Sequence, residues 1–183
     1  MKRLLCLIFV FLFAVCAASC SAKIDAPDVS SDTVSEALTD SDSLNVCTFS
    51  VDCSTVFQNL DSVDEAIIAL LPENGAIFPA EEVAFNEGES VSDLLRRLCD
   101  ERGIALETTT APVYGSVYVE GIASLYEFDA GSGSGWMYRV NGEFPNYGAS
   151  AYKIAPGDRI EWVYTCDFGD DVGDIRGAEH TGN

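Results

Sequence analysis

Apolar and polar positions alternate along much of the chain from residue 46 to residue 166. In Val46–Cys53 (VCTFSVDC), Cys47, Phe49 and Val51 fall on one face and Thr48, Ser50 and Asp52 on the other, which predicts a strand. Cys53 lies six positions beyond Cys47 and shares its face if the strand stays regular. Over 54–71 the period is loose. Val56, Leu60, Val63, Ile67, Ile68 and Leu71 fit a helical stripe, while Ile67–Leu71 (IIALL) also reads as a short buried strand. Pro72–Gly75 predicts a turn and Val83–Phe85 a brief strand.

The clearest helix spans Ser90–Arg102. Val91, Leu94, Leu95, Leu98 and Cys99 recur at i, i+3, i+4, i+7 and i+8, one apolar stripe. Ser90 and Asp93 stand where a capping box needs them, and Gly103 suits the stop. Ile104–Thr108 and Val113–Ile122 read as strands, and Leu125–Phe128 leads into a Gly/Ser-rich approach over 129–135. Trp136, Tyr138 and Val140 alternate with Met137 and Arg139, and Asn141-Gly142 ends that strand as a tight turn. Pro156-Gly157-Asp158 turns the chain into Ile160, Trp162 and Tyr164, a last strand. Strands, one main helix, then strands predict an α+β domain: a mixed sheet with one helix packed on a face.

Between the last two strands, residues 143–152 are aromatic, carry one Pro and one Gly, and have little period. A loop of that kind on a rigid base is where binding residues commonly sit. Tyr126, Trp136, Tyr138, Phe144, Tyr147 and Tyr152 offer flat apolar faces with polar tips, and Asn146 and Ser150 add hydrogen-bonding groups. These eight are the candidate ligand-binding residues. The alternative for Trp136, Tyr138 and Trp162 is that they are core residues of a small sheet.

Charge narrows the partners. Thirty acidic against ten basic residues give a formal net charge of -20, which argues against nucleic acid and leaves a neutral or cationic small molecule, or a surface protein. The amino-terminal residues 1–19 read as an export signal: Lys2-Arg3, then an apolar run from Leu4 to Ala18. Ala17-Ala18-Ser19 before Cys20 resembles a bacterial lipobox, so Cys20 is the expected lipidation site, with a cleaved secretory signal and a retained helix as alternatives. Residues 20–45 hold six acids against one Lys and no apolar period, a solvated tether. The domain is expected over 46–173 and a polar tail over 174–183. The protein is thereby expected on the extracytoplasmic face of a bacterial membrane, held by its lipid.

Export also bears on the cysteines. Cys47, Cys53, Cys99 and Cys166 remain, an even number that suggests disulfides in any of three connectivities. Buried free thiols are the alternative. No metal is expected: Cys-x-x-Cys is absent, and the one histidine, His180, lies in the tail. Asp167, Asp170, Asp171 and Asp174 depart from calcium-loop spacing. The Gly/Ser run lacks a P-loop lysine. Without a histidine in 46–173, Ser-His and Cys-His nucleophiles are absent, so no enzyme is expected.

Gly135-Trp136-Met137-Tyr138, Val140-Asn141-Gly142, Asn146-Tyr147-Gly148, Gly157-Asp158 and Glu161-Trp162, with FNEGESVSDLLRRLC before them, resemble a bacterial family of unassigned function. That family is related to the carboxy-terminal domain of transcobalamin and intrinsic factor, and the resemblance covers Val46 to Gly173. It implies a β-grasp-like (ubiquitin-like) fold. It also implies a corrinoid, a cobalamin-like molecule, as ligand rather than resident cofactor, met by the loop from Phe144 to Tyr152. Asn146 and Tyr147 differ from the residues of the vitamin carriers, in which a helical barrel holds the other side of the ligand. A cell-surface protein–protein interaction or structural module is the alternative function.

Overall fold

The computed structural model describes residues 45–110 and 116–174. The export signal, Cys20, the tether and the end of the tail lie outside the described residues, as does the start of the strand expected from Val113.

Strand β1 (Val46–Asp52) shows the expected alternation, with Cys47, Phe49 and Val51 buried. Residues 54–71 form neither a continuous helix nor a strand. Two 3-10 turns, Ser54–Gln58 and Leu60–Ser62, precede a short helix α1 (Glu65–Ile68). Asp64 caps that helix through Ala66 N–H at 2.8 Å. Polar residues at 59, 61, 62 and 64 break the stripe, so Val56, Val63 and Leu71 reach the core while Leu60 is left exposed.

Strand β2 (Ala76–Ala84) is longer than the Val83–Phe85 expected. Pro79 and the adjacent acids hid it. It pairs antiparallel with β1 along the sheet edge, where a proline is tolerated, and the register slips between Phe49↔Glu81 and Val51↔Phe78. Helix α2 (Val91–Arg102) has both halves of its Ser90–Asp93 capping box and ends at Gly103 with φ 65°. Its five stripe residues are buried, each contributing about 1.5–3 kcal/mol over an exposed position.

Beyond α2 lie β3 (Leu106–Thr110), β4 (Val117–Ile122), β5 (Leu125–Tyr126), β6 (Gly135–Val140) and β7 (Arg159–Thr165). The structure corrects the expectation of one sheet. A four-stranded mixed sheet runs β2-β1-β7-β6, and a separate antiparallel sheet runs β3-β4-β5. In the first, β7 inserts parallel to β1 and antiparallel to β6. Phe49, Val51, Ile160, Trp162, Tyr164, Trp136 and Val140 join α2 and Val119, Ile122 and Leu125 of the second sheet in one core. The chain is therefore α+β.

Three connections are tightly specified. Asn141 and Gly142 have φ 54° and 87°, and Val140 and Glu143 exchange backbone bonds of 2.9 and 3.0 Å, a hairpin turn whose second residue is best served by glycine. The Gly/Ser approach before β6 is closed by turns: Ser134 Oγ accepts from Ala130 N–H at 3.0 Å and donates to the Gly131 carbonyl at 2.8 Å. After β7, Asp171 accepts from Thr165 Oγ1 and from Cys166 N–H, and Asp174 is buried, so the fold continues through the first residue assigned to the tail.

Candidate functional site

The alternation of β6 turns Trp136, Tyr138 and Val140 inward, and the antiparallel register sets Tyr138 opposite Trp162 of β7. Their rings meet at 5.6 Å with a 38° tilt. Strand β4 lies against β6 and closes the other side. Residues 143–152 then pass over this base, held by several bonds. Tyr138 Oη donates to the Tyr147 carbonyl at 2.7 Å, and Val117 N–H donates to Ser150 Oγ at 3.3 Å. At the start of α2, Val91 and Ser92 N–H donate to the Tyr152 and Ala149 carbonyls, both at 3.2 Å.

Two adjoining hollows result. The larger, about 440 Å³, is lined by Ser116, Asn146, Tyr147, Gly148 and Ala151. Gly148 packs closely on Ser116 at its edge, since a Cβ there would sit 2.5 Å from Ser116 Cβ. The smaller, about 130 Å³, shares Gly148 and is walled by Val117, Val119, Trp136, Tyr138, Ala149 and Trp162. No Lys, Arg or His lines either.

Tyr147 is 49% exposed and stacks on Tyr152, centroids 6.3 Å apart and planes within 12°. Tyr152 is anchored behind it, its hydroxyl donating to Asp158 at 3.2 Å. Burial and then the Asp158 charge push that phenol above its ordinary pKa, so it stays a donor at neutral pH. Asp158 is itself buried and also accepts from Ala155 N–H and Asn141 Nδ2, both at 2.9 Å, so one carboxylate ties two turns to the aromatic pair. Across the smaller hollow, burial and the Glu127 acceptor raise Tyr118 to about 12. Both hollows are thus lined by neutral side chains, with the Asp158 carboxylate buried behind Tyr152.

The expected residues divide accordingly. Trp136, Tyr138, Asn146 and Tyr147 come together around the two hollows, with Tyr152 behind them. Trp136 is also a core residue, as its alternative reading had it: Nε1 donates to the Leu125 carbonyl at 2.9 Å and its ring stands edge-on to Tyr164. Ser150 ties the loop to β4. Phe144 is half-buried and lines neither hollow. Tyr126 lies apart, over Gly121 on the second sheet, with its hydroxyl on Glu107 at 3.2 Å. Ser116, Gly148, Ala149 and Ala151 escaped notice because small residues carry no chemical signal. Trp162 was legible only as core.

Elsewhere, Cys47, Cys53, Cys99 and Cys166 are free thiols in this structure, the first three buried. Burial raises Cys47 and Cys99 to about 11 and Cys53 to about 12, which makes them poor nucleophiles. Among the described residues no group of three His, Cys, Asp or Glu side chains could hold a metal ion.

No curated protein matches the chain. Among solved structures it is similar to haptocorrin, crystallised in complex with Cbi, at 14% identity and a TM-score of 0.47, over 66% of this chain and 24% of that one. The chain thus spans about a quarter of that protein's length. It is also similar to a suspected metal-binding protein from Ruminococcus gnavus ATCC 29149, at 12% identity and a TM-score of 0.39, over 66% of this chain and 96% of that one. Neither likeness extends to a ligand. Residues 88–166, from the approach to α2 to the end of β7, match a family described as a domain of unknown function (DUF4430).

Proposed function

We propose that this chain is a lipid-anchored, extracytoplasmic binding module with a β-grasp core, which takes a flat, partly apolar ligand at the hollows beside residues 143–152. Binding, not turnover, is its work. The strand order, a hairpin followed by a helix and a last strand parallel to the first, supports the β-grasp reading. The observation that carries the function is the aromatic-walled concavity of Trp136, Tyr138, Tyr147 and Trp162 on a hydrogen-bonded base. A concavity favours a small molecule, whereas a protein partner favours a flat patch. A corrinoid is the first candidate, following the sequence resemblance, and a neutral corrin face suits walls without a basic side chain.

Isothermal calorimetry with cobalamin and cobinamide is the test. Tyr147→Ala removes one exposed ring face and is expected to cost about 1–3 kcal/mol, roughly ten- to hundredfold in affinity. Its fold is retained, because the ring is half exposed and packs on one neighbour. No heat with either ligand at high micromolar concentration would reject the corrinoid. Equal affinity of wild type and Tyr147→Ala would reject this loop.

A surface-protein reading is supported by a different feature. Phe128 and Phe168 are 61% and 65% exposed, both at positive φ, and their N–H groups donate to the adjoining Ser134 and Gly133 carbonyls. Two exposed rings held in an uncommon backbone conformation are an apolar contact point of the kind protein partners use.

A further inference from the structure

A register slip shapes the outer face of the second sheet. Glu107 pairs with Gly121 and Thr108 with Val119, so Glu120 is an extra residue in β4. The slip puts Tyr118 and Gly121 on one face and Val119 and Ile122, both buried, on the other. Tyr126 of β5 stands opposite Gly121 and rests its ring there: a Cβ at 121 would sit 2.6 Å from Tyr126 Cδ1. The Tyr126 hydroxyl donates to Glu107 at 3.2 Å, and the Tyr118 hydroxyl donates to Glu127. Tyr118 and Tyr126 nonetheless stay 42% and 36% exposed. Each pair is thus an accessible aromatic ring fastened to a carboxylate.

Charge on this face has one sign. Residues 103–138 hold Glu107, Glu120, Glu127 and Asp129 and no Lys, Arg or His. None of the ion pairs among the described residues involves any of these four, whereas Glu81, Glu89, Glu101 and Glu161 each hold an arginine. A tyrosine ring attracts a cation over its face, and a carboxylate that accepts a hydroxyl keeps its charge, so ring and carboxylate select the same partner charge.

We infer that this face docks a basic segment of a partner protein, its lysine or arginine side chains laid over Tyr118 and Tyr126 and paired with Glu127 and Glu107. One small cation cannot serve both pairs. Tyr118 and Gly121 are three residues apart along β4, about 10 Å at about 3.3 Å per residue, and Tyr126 lies one strand further across. Two cations on one extended chain span that distance. Glu107, Tyr126 and Glu127 line neither hollow, and an open sheet face suits a protein better than a pocketed molecule. The inference stands apart from the small-molecule reading above, and the outcome with cobinamide does not bear on it.

The full chain, ¹⁵N-labelled, is titrated with an octapeptide alternating lysine and serine and with one alternating glycine and serine. The lysine peptide is expected to bind saturably and to move the amide resonances of Glu107, Tyr118, Tyr126 and Glu127 most, and the neutral peptide to move none. A net charge of -20 attracts any polycation, so the deciding variants leave the charge alone. Tyr118→Ala with Tyr126→Ala is expected to weaken the lysine peptide about tenfold, from about two- to fivefold for each ring, while Tyr147→Ala beside the larger hollow leaves it unchanged. No binding of the lysine peptide, movement spread evenly over the acidic surface, or equal affinity of the double variant and wild type overturns the inference. So does weakening by Tyr147→Ala of the same size. The amide mapping uses the wild type, so it decides even where the double variant fails to fold. Spermidine is expected to bind more weakly than the peptide; tighter binding would put a polyamine in place of the protein partner and overturn the inference as well.

Discussion

Asp158→Ala is the substitution whose consequence follows most directly from the geometry. The carboxylate is 7% exposed and accepts from Ala155 N–H, Asn141 Nδ2 and Tyr152 Oη at 2.9, 2.9 and 3.2 Å. Hydrogen bonds to a charged group contribute about 1.5–3 kcal/mol each when both partners are dry. Here Ala155 and Asn141 are exposed and Tyr152 half-buried, so all three regain water in the variant. About 1 kcal/mol for each, or roughly 3 kcal/mol in all, is the expected loss. That is a large share of the roughly 5–15 kcal/mol that holds a domain together, and corresponds to a fall in Tm of about 10 °C. Urea unfolding followed by tryptophan fluorescence reads it, since Trp136 and Trp162 are both buried. With a slope of about 1.5 kcal/mol/M the midpoint drops by about 2 M at unchanged slope. The control is Asp129→Ala, whose carboxylate receives one exposed bond from Tyr126 N–H at 2.7 Å and is expected to cost under about 1 kcal/mol. If the two variants unfold alike, the fastening of both turns through Asp158 is wrong. Ligand affinity should fall as well, because Tyr152 loses the bond that holds it behind Tyr147.

Cys20→Ala is expected to abolish lipid labelling and release the protein from membranes or leave it unprocessed; unchanged labelling would remove the anchor. Mass mapping of protein taken from its native compartment is expected to find Cys47, Cys53, Cys99 and Cys166 paired, and four free thiols would exclude it. The Ser90 hydroxyl is the main reason Asp93 titrates below its usual range. Since its folded pKa lies below the unfolded one, near 4, its contribution to α2 is complete above that value and is lost as pH falls through the folded pKa. Asp93→Asn should therefore flatten the acid limb of the stability curve, and an unchanged limb would show that the cap does not titrate.

Local rules were enough for the elements whose own residues satisfy them. The five-residue stripe and Ser90–Asp93 cap specify α2 without help from elsewhere, and Asn141-Gly142 needs only its own positive φ values to turn the chain. Alternation specifies β1, β6 and β7 in the same way. Three matters depended on tertiary structure. Strand β2 contains a proline and two acids, so it forms only because β1 offers an edge to pair with, and a bulge absorbs the misfit. Residues 54–71 had two periods in competition, and packing of Val56, Val63 and Leu71 against the core chose short turns instead. The site was half visible. Tyr147 and Asn146 announce themselves by type, but the larger hollow is also lined by Ser116, Gly148 and Ala151, and the loop can approach Ser116 there only because Gly148 has no Cβ to meet it at 2.5 Å. Alternation puts Trp162 on the inward face of β7, but that its ring both joins the core and borders the smaller hollow depends on how β4, β6 and residues 143–152 pack around it, which only the folded chain decides.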